Sequence, residues 1–146
     1  MRLGLLLITA LALSTSHAYS KDEPLSQLFS AHSLKCHFGQ GTRTMWPGGK
    51  PKTAIAHSGA DVHFDAIDIK YQSARVIGNN GARDVKVLPD RVGLSFIELA
   101  PSVVDLTTIF AMYGKDHDFI AVETRHVMDS GGSMAEQYYG SCQVVQ

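Results

Sequence analysis

Cysteine is scarce in this chain: Cys36 and Cys142 are the only two in 146 residues. Neither stands in a C-x-x-C spacing, so a dithiol redox motif or a thiolate zinc knuckle has no local pattern to start from. The stretch Ser33-Leu34-Lys35-Cys36-His37 has the length of a haem-attachment site but puts Ser33 where the first Cys belongs. One of the two thioether bonds would be missing. Long apolar runs are equally rare. The single one, residues 3–13, is too short to span a bilayer, and no second run follows, so no transmembrane segment is expected. Charge of one sign is lacking too: 13 Lys and Arg face 14 Asp and Glu, with no long run of either. That excludes the basic footprint of a nucleic-acid binder and a polybasic membrane patch.

Catalytic signatures are also absent. The loop Ser130-Gly131-Gly132-Ser133 is rich in glycine, but Gly-x-Ser-x-Gly is missing and no helical pattern follows it, so it is no nucleophile elbow. Phosphate loops, dinucleotide fingerprints and H-E-x-x-H are missing as well. No catalytic residue and no cofactor is expected from these patterns.

What is present begins with export. Arg2, the apolar run and Ser16-His17-Ala18 have the plan of a secretory signal peptide, with cleavage expected after Ala18 and Tyr19 as the mature N-terminus. No Cys stands near that site, which leaves out a lipid-anchored lipoprotein. The remaining 128 residues (146 less 18) make about one domain, expected to be soluble and periplasmic or secreted. In an oxidising compartment the two cysteines are most simply a disulfide. Closing so long a loop stabilises the fold by roughly 4–5 kcal/mol on the chain-entropy model.

The pattern after the signal peptide is β throughout. Residues 19–32, polar and mixed around Pro24, read as a flexible lead-in with one helical turn near 25–29. Residues 33–146 form the domain. Leu34, Cys36 and Phe38 alternate with Lys35 and His37, the mark of a half-buried antiparallel strand. Trp46-Pro47-Gly48-Gly49-Lys50-Pro51 breaks it as a turn. A strand over 62–71 changes phase near Ala66, which implies a β-bulge. Strands at 74–77, 85–88, 94–99, 104–110, 119–127 and 137–145 follow, each break carrying turn chemistry such as Gly78-Asn79-Asn80-Gly81 or Pro101-Ser102. About eight short strands joined by tight turns predict an all-β fold, a small antiparallel barrel or sandwich with meander order. A bridge from Cys36 to Cys142 would set the first strand near the last and favour closure over an open sheet.

Several strings carry a resemblance: Lys35-Cys36-His37-Phe38 with Thr44-Met45-Trp46, Phe64-Asp65-Ala66-Ile67-Asp68, Ala74-Arg75-Val76-Ile77-Gly78-Asn79, and Gln137-Tyr138-Tyr139-Gly140-Ser141-Cys142. Over nearly the whole mature chain they are similar to an uncharacterised group of small secreted proteins of Gram-negative bacteria, a likeness that carries no activity. Asn80-Gly81-Ala82-Arg83-Asp84 also resembles the Ser-Gly-Ala-Arg-Tyr loop of the periplasmic inhibitors of c-type lysozyme, with the flanking Ser and Tyr replaced. That likeness implies a disulfide-tied barrel with Arg83 on a contact loop.

Candidate contact residues are therefore Arg83, Trp46, whose alternative place is the core, and the pair Tyr138 and Tyr139. Adjacent tyrosines in a strand point to opposite faces, so one should pack inside and one be wet. For a metal the least implausible set is His63 with Asp65 on one strand face and His117 from a loop. Acidic residues such as Asp65, Asp68, Glu98, Asp105 and Glu123 alternate with apolar neighbours, as the wet face of a sheet requires. The leading expectation is an exported non-enzymatic binding protein for a protein partner or a small apolar ligand. The alternatives are a metal-assisted hydrolase or an envelope accessory protein without a ligand, and the oligomeric state stays open.

Overall fold

The computed structural model of the chain describes residues 23–79, 81–129 and 132–145. The signal peptide with its cleavage site, and Asn80, Ser130 and Gly131 of the expected turns, lie outside the described residues. A helix α1 (Glu23–Phe29) is followed by β1 (Leu34–Met45), β2 (Lys52–Asp68), β3 (Ser73–Gly78), β4 (Gly81–Pro89), β5 (Gly93–Ala100), β6 (Val103–Tyr113), β7 (Phe119–Asp129) and β8 (Gly132–Val144). Each strand pairs antiparallel with the next and β8 returns to β1, so the meander is a closed barrel. The all-β meander expected from the turn spacing is what forms.

The closing seam runs from Leu34 opposite Val144 to Met45 opposite Met134. Cys36 lies directly across from Cys142, with Cα atoms 4.0 Å apart, and the two are joined by a disulfide. Two glycines let the seam close. A Cβ on Gly140 would stand 2.0 Å from the His37 carbonyl oxygen and 2.8 Å from the Phe38 ring; one on Gly41 would stand 2.0 Å from the Gln137 carbonyl oxygen. Only hydrogen fits at either place.

The first turn of the barrel also differs from its sequence reading. Residues 39–45 and 52–61, which the alternation leaves unassigned, extend β1 and β2 into a long hairpin. The register slips between Phe38 and Gln40, and Gly59 on the facing strand has φ of 59°. These irregularities hide the period-two signal. The bulge expected near Ala66 is present: the β2–β3 register shifts between Asp65 and Asp68, and Ala66 itself has φ of 49°.

The barrel has a closed base and an open rim. At the base, α1 stops the end with Leu28, which is fully buried along with Leu34, Leu94 and Ile109. The segment after it is stitched in place, Ile67 N–H donating to the His32 carbonyl and Val145 N–H to the Ser33 carbonyl. Tyr113 at the end of β6 donates its hydroxyl to the Gln27 side chain. From Glu23 onward the expected flexible lead-in is therefore corrected: it is part of the core, because the open end of a small barrel exposes apolar side chains that a short helix can cover.

Two outcomes follow. Reducing the disulfide should lower stability by a few kcal/mol, below the chain-entropy ceiling of roughly 4–5 kcal/mol, read as a shift of the urea midpoint. Leu28→Ala should cost about 2–5 kcal/mol in the same assay; a loss under about 0.5 kcal/mol would mean that the helix is no part of the folding unit.

Candidate functional site

The alternation that buries apolar residues near the base carries charged residues into the barrel near the rim. In β5 the inward phase runs Leu94, Phe96, Glu98; in β6 it runs Ile109, Thr107, Asp105; in β7 Phe119, Ala121, Glu123, Arg125; in β8 Cys142, Gly140, Tyr138, Glu136. In β4 it passes from Val87 and Val85 to Arg83. Phe64 and Phe96, stacked with ring centroids 4.0 Å apart, form the floor between the apolar half and the charged half.

Carboxylates sit deep in this lumen and guanidinium groups sit toward its mouth. The side chains of Glu136, Glu123 and Asp105 are 4%, 7% and 13% exposed, whereas those of Arg43 and Arg125 are 48% and 41% exposed. Arg125 grips Asp105 with two bonds, Nε to Oδ1 at 2.8 Å and Nη2 to Oδ2 at 3.0 Å. Arg83 Nη1 donates to Glu98 Oε1 at 2.6 Å. Arg43 Nε and the Tyr138 hydroxyl both donate to Glu136 Oε1, at 2.5 and 2.8 Å. Each arginine thus serves one carboxylate closely. Glu123 is left with a share of Arg125 Nη2, which already serves Asp105, at 3.5 Å. Burial pushes the Glu123 carboxyl up from its ordinary range; Arg125 opposes the rise, and Asp105, Glu136 and Glu98 add to it.

The space above Phe64 and Phe96 holds about 210 Å³ and is bounded by β2 at Ser58, Ala60 and Val62, by the β3–β4 tip at Gly78, Asn79 and Gly81, and by the charged residues of β4 to β7. Its opening arises from unequal strands. β2 pairs with β3 only from His63 opposite Ile77 downward, although it continues upward to Lys52. Similarly, β4 pairs with β5 only over Lys86 to Pro89, leaving residues 81–85 without a ladder on that side. The short β3–β4 hairpin is therefore a low place in the wall, and the lumen opens over it.

The structure distributes the sequence candidates as follows. Arg83 is inside, facing Glu98. Of the two tyrosines, Tyr138 is buried in the lumen and Tyr139 is exposed, as strand geometry requires. Trp46 is 41% exposed where the β1–β2 hairpin turns, beside exposed Met45, so its alternative place in the core is not taken. His63 and Asp65 share the outer face of β2, but His63 Nε2 lies 2.6 Å from the Ser33 hydroxyl and Asp65 is held by Arg75 in a two-bond pair. His117 lies in the turn between β6 and β7, with its ring 5.7 Å from that of Tyr113, and those strands do not adjoin β2. Among the described residues, no group of three or more His, Cys, Asp or Glu is placed to hold a metal ion.

A wet outer face for Glu98, Asp105 and Glu123 is corrected: these three line the lumen. Their phase was readable. Each lies two or four residues along its strand from a buried apolar or small residue, and parity alone puts it inside. Glu136 and Arg125 carry the same signal, whereas Arg43 reaches the lumen only because the register slip after Phe38 reverses the phase of β1. Compared with family models, curated proteins and solved structures, the chain finds no match. Among the described residues no helix is long and apolar enough to cross a membrane.

The raised Glu123 pKa has a definite sign. The folded state holds this proton more tightly than the unfolded chain, so the stability it contributes is full below the ordinary carboxylate pKa and is lost as pH rises through the folded value. Asp65, whose pKa Arg75 lowers through its hydrogen bonds, acts oppositely: its contribution is present above the ordinary value and disappears in acid. Glu123→Gln should therefore melt with the parent at pH 4 and above it at pH 8. A variant that melts below the parent at pH 8 would show that Arg125 compensates the ionised carboxylate in full.

Proposed function

We propose that the protein is an exported binding protein rather than an enzyme, and that it receives one long cationic side chain of a protein partner in the rim half of its barrel. The observation that carries this reading is the buried surplus of carboxylate: among the described residues, Glu98, Asp105 and Glu123 surround a cavity to which only Arg83 and Arg125 contribute guanidinium groups. An ammonium or guanidinium entering there supplies the charge that Glu123 lacks. An apolar ligand would leave these groups desolvated with nothing gained, which disfavours that half of the original expectation.

Size supports a side chain over a free ligand. About 210 Å³ falls below the roughly 300–1,000 Å³ of pockets that enclose whole drug-sized molecules. The opening over the β3–β4 hairpin lets such a side chain enter while its own backbone stays outside. Export to the periplasm or beyond accords with the disulfide and with the likeness to small secreted proteins of Gram-negative bacteria. Entry of a cation also favours ionised Glu123, so binding should release a proton and tighten as pH rises through the carboxyl's shifted range.

N-acetyl-lysine methylamide is the simplest probe. Titrated to millimolar concentration at pH 8, it should shift the NMR resonances of Phe64, Phe96, Val76 and Val85. Its Nε-acetylated form should not, and Glu123→Gln should weaken binding roughly tenfold, equivalent to about 1.4 kcal/mol. Equal shifts from both compounds, or a stronger response to acetate, would overturn the reading.

A further inference from the structure

The upper part of β2, residues 52–62, has one edge hydrogen-bonded to β1, while the other makes no backbone hydrogen bond to a strand or loop among the described residues. A bare edge of this length is uncommon in a closed barrel, because unpaired N–H and C=O groups in a row invite another chain. Here the bare edge also borders the charged cavity: Ser58, Ala60, Asp61 and Val62 belong to both. We infer that this edge is the docking rail for the partner, and that an extended segment bearing Lys or Arg adds to β2 as an antiparallel or parallel strand. This inference rests on the lumen reading above and specifies how the partner's backbone is held.

The geometry of strand addition makes the two features one site. A segment paired to β2 would lie above the β3–β4 tip, in the place that β3 would fill if it were longer, and so would complete the barrel wall. Its side chains would then alternate between the outside and the lumen, like those of every other strand. In the register that pairs His63 with Ile77, Val62 lies level with Gly78, so the first inward residue above the tip is the one opposite Ser58, facing the cavity that Glu123 and Asp105 line, where a cationic group meets the carboxylate surplus. The inward residues of upper β2 are Ala56, Ser58 and Ala60, all small, so the rail leaves room for that side chain. The outward residues include Ile55, 69% exposed, and the hairpin end carries the half-exposed Trp46; both offer apolar contact to the added strand's neighbours. Charge complementarity thus selects an extended basic protein segment as the occupant.

Two features of upper β2 guard the edge without closing it. Lys52 at its start and the Ser58-Gly59 irregularity, where Gly59 has φ of 59° and the Ala60 N–H bonds the Ser58 hydroxyl, both hinder an unspecific sheet from propagating. They leave residues 53–57 regular.

The test uses the full mature chain and ten-residue peptide pools with a fixed central Lys or Glu and random flanks, read by fluorescence polarisation. The Lys pool should bind at least tenfold more tightly than the Glu pool. Peptides selected from it are then N-methylated at alternate backbone amides in two complementary sets. The set facing β2 should abolish binding, the other should leave it within about twofold, and amide exchange of residues 53–61 should slow only with the unmethylated peptide. If Lys and Glu pools differ but both methylated sets bind equally, the lumen reading stands and the rail fails. If methylation matters but Lys does not, the edge docks strands and the lumen reading fails. A protein that sediments as a dimer with residues 53–61 protected before any peptide is added would overturn the inference in favour of a second copy, and no binding by any pool to 1 mM would overturn it outright.

Discussion

A ring of strands closes only when its first and last members can lie side by side, and in this protein that condition falls on the β1–β8 seam. Backbones meet there closely enough that the carbonyls of His37 and Gln137 occupy the space a Cβ would take on Gly140 and Gly41. The rings of Phe38 and Tyr138 lie over those bare glycines and restore the packing that a missing side chain removes. The disulfide crosses the same seam and is buried inside the barrel. Because the meander order fixes every other pairing between sequence neighbours, this one long-range contact separates a barrel from an open sheet.

Closure has an internal price that differs along the axis. Near the base, large apolar side chains such as Phe38, Phe119, Leu34 and Leu94 fill the lumen and α1 covers it. Above the Phe64–Phe96 pair the same inward positions are charged, and burial there is tolerable because each arginine meets a carboxylate with short, directed bonds. Such a layer is a poor source of stability. Buried ion pairs seldom outperform apolar side chains of equal volume.

Much of this was readable from the sequence, and the failures share a cause. The strands from β3 to β8, most of the turns, the bulge at Ala66 and the opposed tyrosines follow from alternation and turn chemistry; the turn at 69–72 does not, because Ile69 and Tyr71 continue the alternation of Ile67 beyond the end of β2 at Asp68. The upper β1–β2 hairpin escaped because glycines and register slips interrupt the alternation where its inward residues are small. The lumen escaped for a different reason. Acidic residues in a strand suggest a wet face by type, whereas position counts by parity, and Glu98 and Glu123 keep the parity of Phe96 and Ala121. The helix at the base was placed correctly as a turn of helix, yet its burial of Leu28 depends on the shape of a barrel mouth, which no local pattern specifies.

The seam between β4 and β5 near the rim has a different character from the rest of the wall. Apart from upper β2, which has no ladder to β3, neighbouring strands elsewhere are held by backbone ladders, which dissolved salt hardly affects. Above Lys86 the two strands are linked by a side-chain ion pair, Arg83 to Glu98, half open to solvent. Attraction of that kind contributes less than about 1 kcal/mol and weakens as counterions crowd within a Debye length. The contact that joins β4 to β5 beside the lumen's opening therefore weakens as ionic strength rises, whereas the backbone ladder below it does not.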